Sequence, residues 1–517
     1  MLESMSRRRA VTRSKPVLAV SALAVAVMVV AACGTTDQGV IARRSDQKST
    51  DPATTDSTPD DPGPDPTNPL DPPEDSTPPP TDGGLIDFGD SKTPQPYDNF
   101  LNAAFADITQ FWADNFPTTY GAEFTPVSGI FASYPSRGDL PESCEGGVPF
   151  DDVEGNAFYT TCGDIIVYDD AELLPQLVND LGTAAVGVVA AHEYGHAIQA
   201  RAGIFDLGLP TVDNEQQADC FAGAWAAHVA RGESDQLQFD DNDVKGGIVA
   251  MITVRDPPGL ANVAEDPSGH GTGFDRVGAF QEGFINGVAR CADFIDNPNP
   301  RIDLQFLSQQ DFANNGNLPF DEILQALPLA LDTYWLPTLE ASSIAFTSPT
   351  LVPFTADAGP PACDDRSPDS LVNTATFCVT TNTIVYDDGF VRDLYGRLGD
   401  LSFGYPIASA YSDAVQVALQ STLAGEPRVL LNDCLVGAWI VDIIPSGEVD
   451  AEGRQLANNP NQTILLSAGD LDEAITTAVL LGDEAAAINV NGTAFEKIDS
   501  FRTGVLGGLP ACQDRIG

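Results

Sequence analysis

The chain has 517 residues, of which 25 are Lys or Arg and 75 are Asp or Glu, giving a formal net charge of −50 at pH 7. This length allows more than one domain and a large buried core. The acidic excess argues against binding to nucleic acid and against electrostatic docking on anionic lipid. Chemistry that depends on histidine is confined to the first half, which contains all four histidines: His192, His196, His228 and His270.

Residues 1–32 predict a lipoprotein signal peptide. The basic segment MLESMSRRRAVTRSKP precedes the apolar segment VLAVSALAVAVMVV, which is short for a membrane span. The segment ends in VAAC, which resembles a bacterial lipobox, so we expect lipidation of Cys33 and a membrane lipoprotein that faces the extracytoplasmic side. An uncleaved signal anchor is the alternative, and both interpretations imply export by the Sec or the twin-arginine route.

Residues 33–95 predict a tether between the membrane and the folded part of the chain. The segment is rich in Pro, Asp and Thr and has few apolar side chains. Burial cannot offset the entropy lost on ordering such a segment, so we expect an extended and disordered spacer.

The remainder predicts a tandem duplication, with copies at residues 96–300 and 301–517. Three segments recur in the same order: GNAFYTTCGDIIVYDD with NTATFCVTTNTIVYDD, ADCFAGAW with NDCLVGAW, and HGTGFDRVGAFQEGFINGVARC with NGTAFEKIDSFRTGVLGGLPAC. We expect an α+β fold in each copy, with a small sheet over a central helix.

Each copy contains four cysteines in matching contexts, and an exported chain is expected to form disulfides. Four cysteines allow three pairings, and the sequence alone does not choose among them. The repeated short and long loops favour the following pairs: Cys144–Cys162, Cys220–Cys291, Cys363–Cys378 and Cys434–Cys512.

The segment LGTAAVGVVAAHEYGHAIQARAG predicts a helix that ends near Gly203. His192 and His196 are four residues apart, so both imidazoles project from one face of this helix. This is an HExxH motif, in which two neutral imidazoles bind one Zn²⁺ while Glu193 acts as general base on a metal-bound water. The alternative interpretation is that His192 and His196 are surface residues with satisfied hydrogen bonds and not metal ligands.

A third metal ligand is expected on the next predicted helix, VDNEQQADCFAGAWAAHV. A catalytic zinc site needs three protein ligands and one open position. Glu215 and Asp219 lie on one face of this helix, so Glu215 can bind the metal and Asp219 can orient a ligand histidine. Asp213 is an alternative ligand, and Asp219 could instead be a surface acid. His228 lies near the opposite face and is predicted to be structural.

Together, HEYGHAIQ, EQQADCFAGAW and HGTGFDRVGAFQEGF resemble the neutral zinc metallopeptidase family of bacterial envelope proteins, over residues 97–294. The resemblance implies a zincin-like fold and a peptide or protein substrate in the cell envelope. It also implies Glu215 as zinc ligand, Asp219 as its hydrogen-bonding support, and His270 in oxyanion stabilisation or in a structural role. The strand in DIIVYDD is expected to be an edge strand that pairs with substrate.

The second copy lacks the residues of the predicted site. SAYSDAVQ aligns with HEYGHAIQ and replaces its two histidines and its glutamate with Ser409, Asp413 and Ala410. Val429 stands at the position of the third ligand, and Asn491 at that of the C-terminal histidine. We therefore expect one zinc ion per chain, in the first copy only, and a non-catalytic second copy.

The favoured interpretation is a membrane-tethered zinc metallopeptidase, a hydrolase. A non-catalytic binding or scaffold lipoprotein on a peptidase fold is the alternative, and a metal-dependent hydrolase of other bonds is a third. Structural zinc sites usually have four protein ligands, often cysteines. Here disulfides account for the cysteines and a free glutamate adjoins the histidines, which favours an open catalytic site. The sequence indicates no oligomeric state.

Overall fold

The structure is a computed structural model. It describes residues 84–138, 140, 142–143, 146–259, 269–302, 304–355, 357–450, 454–482 and 491–513. The predicted signal peptide, the lipidation site at Cys33 and the predicted tether as far as residue 83 lie outside the described residues. Among the described helices, none is both long and apolar enough to cross a lipid bilayer.

In the first half, the described residues form six strands and six α-helices. The strands are β1 (Ile86–Asp87), β2 (Gly129–Ser133), β3 (Glu142–Ser143), β4 (Gly146–Gly147), β5 (Ala157–Thr160) and β6 (Ile165–Asp169). The helices are α1 (Asp98–Tyr120), α2 (Leu173–Leu181), α3 (Thr183–Ala202), α4 (Thr211–Ala230), α5 (Asp241–Thr253) and α6 (Gly273–Ala292). Four of the strands form one sheet in the order β1-β2-β6-β5, in which only β5 runs antiparallel to its neighbour.

The folded part begins earlier in the chain than predicted. Residues 86–87 form β1, which pairs with β2, and Ile86 is buried. Lys92 forms a buried ion pair with Asp170. Residues 84–95 therefore belong to the folded domain, because a strand pairing, apolar side chains packed in the core and a paired cation anchor the segment.

The strand predicted from DIIVYDD is β6, but its predicted position at the sheet edge is wrong. All five residues of β6 are buried, and the strand lies between β2 and β5. A strand covered on both faces has a continuous apolar sequence, as Ile165, Ile166 and Val167 show. The two edge strands are β1 and β5, and the AFYT sequence of β5 gave no comparable signal.

The described part of the second half forms seven α-helices and five strands. The helices are α7 (Gln309–Ala313), α8 (Phe320–Ala341), α9 (Asp388–Arg397), α10 (Asp400–Ala418), α11 (Glu426–Ile443), α12 (Asp470–Leu481) and α13 (Ala494–Gln513). The strands are β7 (Thr350–Phe354), β8 (Ala375–Cys378), β9 (Thr383–Asp387), β10 (Pro445–Val449) and β11 (Gln455–Ala457). Three strands form a sheet in the order β7-β9-β8.

Both halves have the same pattern of strand pairing. The central strand, β6 or β9, is parallel to an earlier strand and antiparallel to the strand directly before it. In both halves this sheet is followed by a short helix and then by a pair of long helices, which are α3 and α4 in the first half and α10 and α11 in the second.

The closest helix contacts also occur at equivalent glycines. Helix α4 meets α6 at Gly223, where a β-carbon would collide with the carbonyl oxygen of Phe280. Helix α11 meets α13 at Gly437, where a β-carbon would collide with the carbonyl oxygen of Phe501. Only glycine permits so close an approach of two helix backbones.

The described residues contain three disulfides: Cys220–Cys291, Cys363–Cys378 and Cys434–Cys512. These are three of the four predicted pairs, and the fourth includes Cys144, which lies outside the described residues. The first joins α4 to α6, and the third joins α11 to α13. Disulfides persist in oxidising compartments, so these bonds indicate an extracytoplasmic environment.

One hydrophobic core extends through both halves, and Trp225 and Trp439 are fully buried within it. Across the boundary, the ring of Phe274 meets that of Phe501 edge to face, with their centroids 6.3 Å apart. Gln281 Nε2 donates to the backbone oxygen of Phe495 at 2.9 Å. The two halves therefore stabilise each other through shared apolar and polar contacts.

Replacing Gly223 with alanine is expected to lower the free energy of unfolding by about 1–3 kcal/mol or more, because the new methyl group overlaps a backbone carbonyl. Gly437→Ala is expected to cost a similar amount. Gly396→Ala is the control, because no atom lies within 4 Å of the added carbon in α9. Thermal and denaturant unfolding measure the stability of all three variants. A Gly223→Ala chain as stable as the wild type would refute the close contact between α4 and α6.

Candidate metal centre

Helix α3 carries the HExxH motif. The helix ends at Ala202, and Gly203 follows with a φ of 72°, which confirms the predicted end of the helix. His192 and His196 project from the same face, and their Nε2 atoms are 3.2 Å apart. Their ring planes are nearly perpendicular. Both imidazoles therefore present a nitrogen to one point in space.

Glu215 on α4 completes the set of metal-binding groups. Its Oε2 atom is 3.3 Å from His192 Nε2, and its Oε1 atom is 3.3 Å from His196 Nε2. The ligand atoms of the three side chains all lie within 4.8 Å of one another, so the group could hold a metal ion. Asp213, the alternative ligand, instead forms an ion pair with Arg301 at 2.7 Å.

The donor set fits a divalent metal ion. Glu215 Oε2 is buried and has no hydrogen-bond partner among the described residues, and it lies 3.3 Å from His192 Nε2. Two histidines and one glutamate are a known ligand set for catalytic zinc, which leaves a fourth position open. The residues that the sequence singled out are thus brought together as a metal site requires.

The electrostatics of this group also favour a cation. Burial lowers the pKa of His192, but the carboxylates of Asp219 and Glu215 outweigh burial and raise the pKa to about 10. Burial raises the pKa of Glu215, but His196 and His192 outweigh it and hold that pKa well below its usual range. The centre therefore stabilises positive charge at the position where the two imidazoles meet.

Asp219 contacts the ring nitrogen of His192 that faces away from Glu215. Its Oδ1 atom is 2.7 Å from His192 Nδ1, so the opposite ring nitrogen, Nε2, is directed towards Glu215. Arg276 on α6 holds the same carboxylate through two hydrogen bonds, from Nε to Oδ2 at 2.9 Å and from a terminal nitrogen to Oδ1 at 2.8 Å. All three side chains are buried, so this support is rigid.

Arg276 was not singled out from the sequence, although a signal was present. It aligns with Lys497 in the repeated C-terminal segment, so a cation stands at this position in both halves. In the second half, Lys497 Nζ donates to Asp433 at 2.8 Å, and the hydroxyl group of Tyr405 donates to the same carboxylate at 2.9 Å. A tyrosine hydroxyl therefore takes the place of the histidine beside this carboxylate.

Glu193 lies between the metal-binding group and the free edge of β5. Its Oε2 atom accepts a hydrogen bond from the backbone N–H of Tyr159 at 2.9 Å, and its side chain is almost completely buried. Burial raises the pKa of Glu193, and the negative charge of Glu215 raises it further against the opposing effect of the two histidines. A raised pKa suits a carboxylate that must accept a proton.

A cleft of about 420 Å³, partly open to solvent, lies beside Glu193. It is lined by Asn156, Ala157, Leu173, Leu177, Val189, His192, Glu193, Met251, Val254, His270 and Arg276. Its walls are largely apolar, and its polar groups are concentrated at the candidate metal centre. The cleft therefore offers space for a side chain of a bound molecule next to the candidate base.

His270 is placed in this cleft by Asp256, which the sequence did not single out. The backbone N–H groups of His270 and Gly271 both donate to Asp256 Oδ2 at 2.8 Å. Gly271 has a φ of 98°, which glycine adopts at little cost. His228, by contrast, lies 3.8 Å from Asp107 and is not part of the cleft lining, as predicted.

The equivalent position in the second half has no such ligand set among the described residues. Asp413, which aligns with His196, forms an ion pair with Arg428 at 2.6 Å. Ala410 and Ser409 provide no metal ligand of the kind found in the first half. The other group of described residues that could hold a metal ion lies elsewhere in the second half.

Two histidines on one helix, a glutamate on the next and a buried glutamate beside them form an arrangement typical of catalytic zinc sites. Residues 90–294 match the model of the family described as "Putative neutral zinc metallopeptidase". The resemblance noted in the sequence is therefore confirmed over the segment that carries it.

Similar curated proteins come from several bacteria. "Uncharacterized protein YpfJ" of Escherichia coli (strain K12) is 32% identical over 151 residues, which cover 25% of this chain and 50% of that protein. "Uncharacterized protein Rv2575" of Mycobacterium tuberculosis and "Uncharacterized protein Mb2605" of Mycobacterium bovis are each 26% identical over 194 residues, covering 32% of this chain and 61% of theirs. The chain thus spans only half to three fifths of these relatives. No solved structure matches it at a comparable level of significance.

Asp219→Asn is expected to weaken zinc binding by about 10–100-fold, because His192 loses the carboxylate that orients it. Asp433→Asn is the matched control, since the equivalent carboxylate contacts no metal-binding group and zinc affinity should not change. Competition with a coloured chelator measures both affinities. Equal zinc affinity in the wild-type chain and in Asp219→Asn would exclude this orienting role.

Proposed function

We propose that the chain is an exported zinc metallopeptidase whose first half hydrolyses peptide bonds. The observation that carries the proposal is the convergence of His192, His196 and Glu215 beside the buried carboxylate of Glu193. The chemistry that a bound zinc ion supplies is polarisation of the scissile carbonyl and acidification of the attacking water. The match of residues 90–294 to a family described as zinc metallopeptidases supports the same conclusion.

Glu193 serves as the general base. The Tyr159 N–H donates to one carboxylate oxygen at 2.9 Å and so helps to hold the carboxylate in its observed orientation. It takes a proton from the attacking water and transfers that proton to the leaving amine. His270 lies across the cleft and is positioned to stabilise the negative charge that develops on the carbonyl oxygen.

The substrate binds as an extended peptide along the free edge of β5. An exposed edge offers unpaired backbone groups, to which a peptide can add as a further strand. Ala157 of β5 lines the cleft, as do Leu173, Leu177 and Val189. An apolar substrate side chain next to the scissile bond would fill this part of the cleft, so peptides with apolar residues there should be preferred.

The second half is a degenerate, non-catalytic copy of the first. The order of strands, the paired glycines at the helix contacts and the equivalent disulfides support an internal duplication. A shared hydrogen bond adds to this support. Gln199 Nε2 donates to the backbone oxygen of Asn214 at 2.6 Å, and Gln416 Nε2 donates to that of Arg428, the equivalent residue, at 2.8 Å.

The proposed protein is tethered to the membrane through lipid on Cys33, and its substrates are peptides or proteins of the cell envelope. The N-terminal sequence carries the tethering part of this proposal. The three disulfides support exposure to an oxidising compartment.

Cleavage of a peptide library by the zinc-loaded full chain tests this function. We expect peptide products that disappear after chelation and return when zinc is restored, with apolar residues enriched beside the cleavage point. Activity that survives complete removal of metal would contradict the proposal. Absence of cleavage by a chain that holds zinc would favour a binding protein on a peptidase fold.

A further inference from the structure

Three buried carboxylates meet in the second half, far from the candidate zinc centre in the sequence. Asp400 begins α10, and Asp470 and Glu473 lie in the first turn of α12. The side chains provide ligand atoms that all lie within 4.8 Å of one another. The exposed fractions of these residues are only 5%, 4% and 8%. Three acids so close together and so deeply buried are costly unless a positive charge offsets them.

One oxygen in this group has no partner. Asp470 Oδ2 accepts a hydrogen bond from the backbone N–H of Ser467 at 2.8 Å, but Asp470 Oδ1 is buried without any hydrogen-bond partner among the described residues. A buried polar atom left unpaired costs free energy that native structures rarely tolerate. This unpaired oxygen indicates that an electron-pair acceptor, such as a metal ion, binds beside Asp470.

The absence of a side chain at Gly399 leaves space for two oxygen atoms, one from Glu473 and one from Asn317. Its φ is 130°, and a β-carbon at this position would collide with both Glu473 Oε1 and Asn317 Oδ1. The absent side chain thus lets a carboxylate oxygen and an amide oxygen approach the same point. Asn317 Oδ1 also accepts the backbone N–H of Asp400 at 2.6 Å, which holds the amide oxygen beside the three acids.

No lysine or arginine among the described residues forms an ion pair with Asp400, Asp470 or Glu473. The charged groups that act on these three acids are other acids, including Asp311 and Asp472. The helix N-termini and several backbone N–H groups offset part of the negative charge. They do not supply the full positive charge that three carboxylates require.

We propose that Asp400, Asp470 and Glu473, together with the amide oxygen of Asn317, bind a Ca²⁺ ion. Calcium takes six to eight oxygen ligands, chiefly carboxylates and amide or backbone carbonyls. All four side chains offer oxygen, and none offers the nitrogen or sulfur that zinc prefers. The site is therefore chemically distinct from the His192, His196 and Glu215 group.

The calcium site also stabilises the contact between the halves. Asp472 lies in the same turn of α12 as the proposed ligands. Its Oδ1 atom accepts the backbone N–H of Phe274 at 2.8 Å, and its Oδ2 atom is 2.9 Å from Arg255 Nε. Arg255 and Phe274 flank the segment that contains His270. By ordering the first turn of α12, calcium holds this wall of the cleft in place.

Calcium titration of the full chain tests the proposal. The protein is stripped of metal, reloaded with one equivalent of zinc, and titrated with CaCl₂ in a calorimeter, with unfolding temperature as a second readout. We expect one Ca²⁺ per chain with a Kd of about 10⁻⁴ M or tighter, the range of extracellular calcium sites or better. We also expect calcium to raise the unfolding temperature.

Variants decide where the calcium binds. The double substitution Asp470→Asn and Glu473→Gln should abolish calcium binding, while Glu340→Gln, an exposed acid on α8, and His192→Ala should leave it unchanged. If the double variant does not fold, the single substitution Asp470→Asn is tested in its place, and the wild-type titration decides whether calcium binds at all. No binding at about 10 mM CaCl₂, tenfold above the weakest extracellular sites, would overturn the proposal. So would calcium binding that persists in a folded double variant.

Discussion

Glu193→Gln is expected to lose about 10²–10⁴-fold in kcat while it keeps its fold and its zinc. This range is what a positioned general base contributes to catalysis. The amide has the same shape and can still accept the Tyr159 N–H through its oxygen, so the local structure should persist. Peptidase assays on zinc-loaded protein measure the loss, and elemental analysis of the same sample confirms the bound metal.

Glu172→Gln is the control for this substitution, because Glu172 is exposed and is not part of the lining of the cleft. Its activity should equal that of the wild-type chain. Wild-type activity in a zinc-loaded Glu193→Gln chain would exclude Glu193 as the base, and the mechanism would then need a different proton acceptor.

Glu215→Ala is expected to weaken zinc binding by more than about 100-fold, which exceeds the loss caused by removing an outer hydrogen-bond partner of a ligand. Both carboxylate oxygens lie 3.3 Å from the histidine nitrogens, and the substitution removes both of them. Activity at limiting zinc should fall with the affinity. Competition with a chelator and peptidase assays over a range of zinc concentrations measure the two effects.

Asp213→Asn provides the matched comparison, because Asp213 is the other acid that the sequence allowed as third ligand. It is paired with Arg301, so its loss should leave zinc affinity unchanged. If Asp213→Asn instead lost zinc and Glu215→Ala kept it, the assignment of the third ligand would be reversed.

The local parts of the candidate site were predictable from the sequence. The spacing of His192 and His196 on an alanine-rich helix, and of Glu215 and Asp219 on the next, fixes which side chains share a face. Helix geometry alone then explains why these four residues meet once α3 and α4 pack together. The three disulfides within the described residues are among the pairs that the repeated spacing of the cysteines favoured, although the spacing alone did not exclude other pairings.

Features that depend on tertiary contacts could not be predicted in this way. Arg276 reaches Asp219 across 57 residues, and only the alignment with the second half hinted at a cation there. The edge position of β5 depends on strand order, because the apolar run in β6 indicates burial but not which neighbour is outermost. The proposed calcium ligands come from separate segments, and nothing in the spacing of Asp400 and Asp470 indicates that they meet.

Under the proposed duplication, the second half has lost a metal centre and kept its framework. The carboxylate of Asp433 remains buried, yet it is satisfied by Tyr405 and Lys497 in place of a histidine and an arginine. A buried carboxylate without partners would destabilise the fold, so replacement of the histidine required a new hydrogen-bond donor. This exchange explains why the aspartate is present in both halves although a metal-binding group adjoins it in only one.

The most direct test of the proposed zinc centre is the number of zinc ions bound per chain. The full chain, purified without chelators from an oxidising compartment, would be measured by elemental mass spectrometry beside a His192→Ala control. The proposed centre predicts one zinc ion per wild-type chain and none in the control. No zinc in the wild-type chain, or an equal amount in the control, would contradict a zinc centre built from His192, His196 and Glu215.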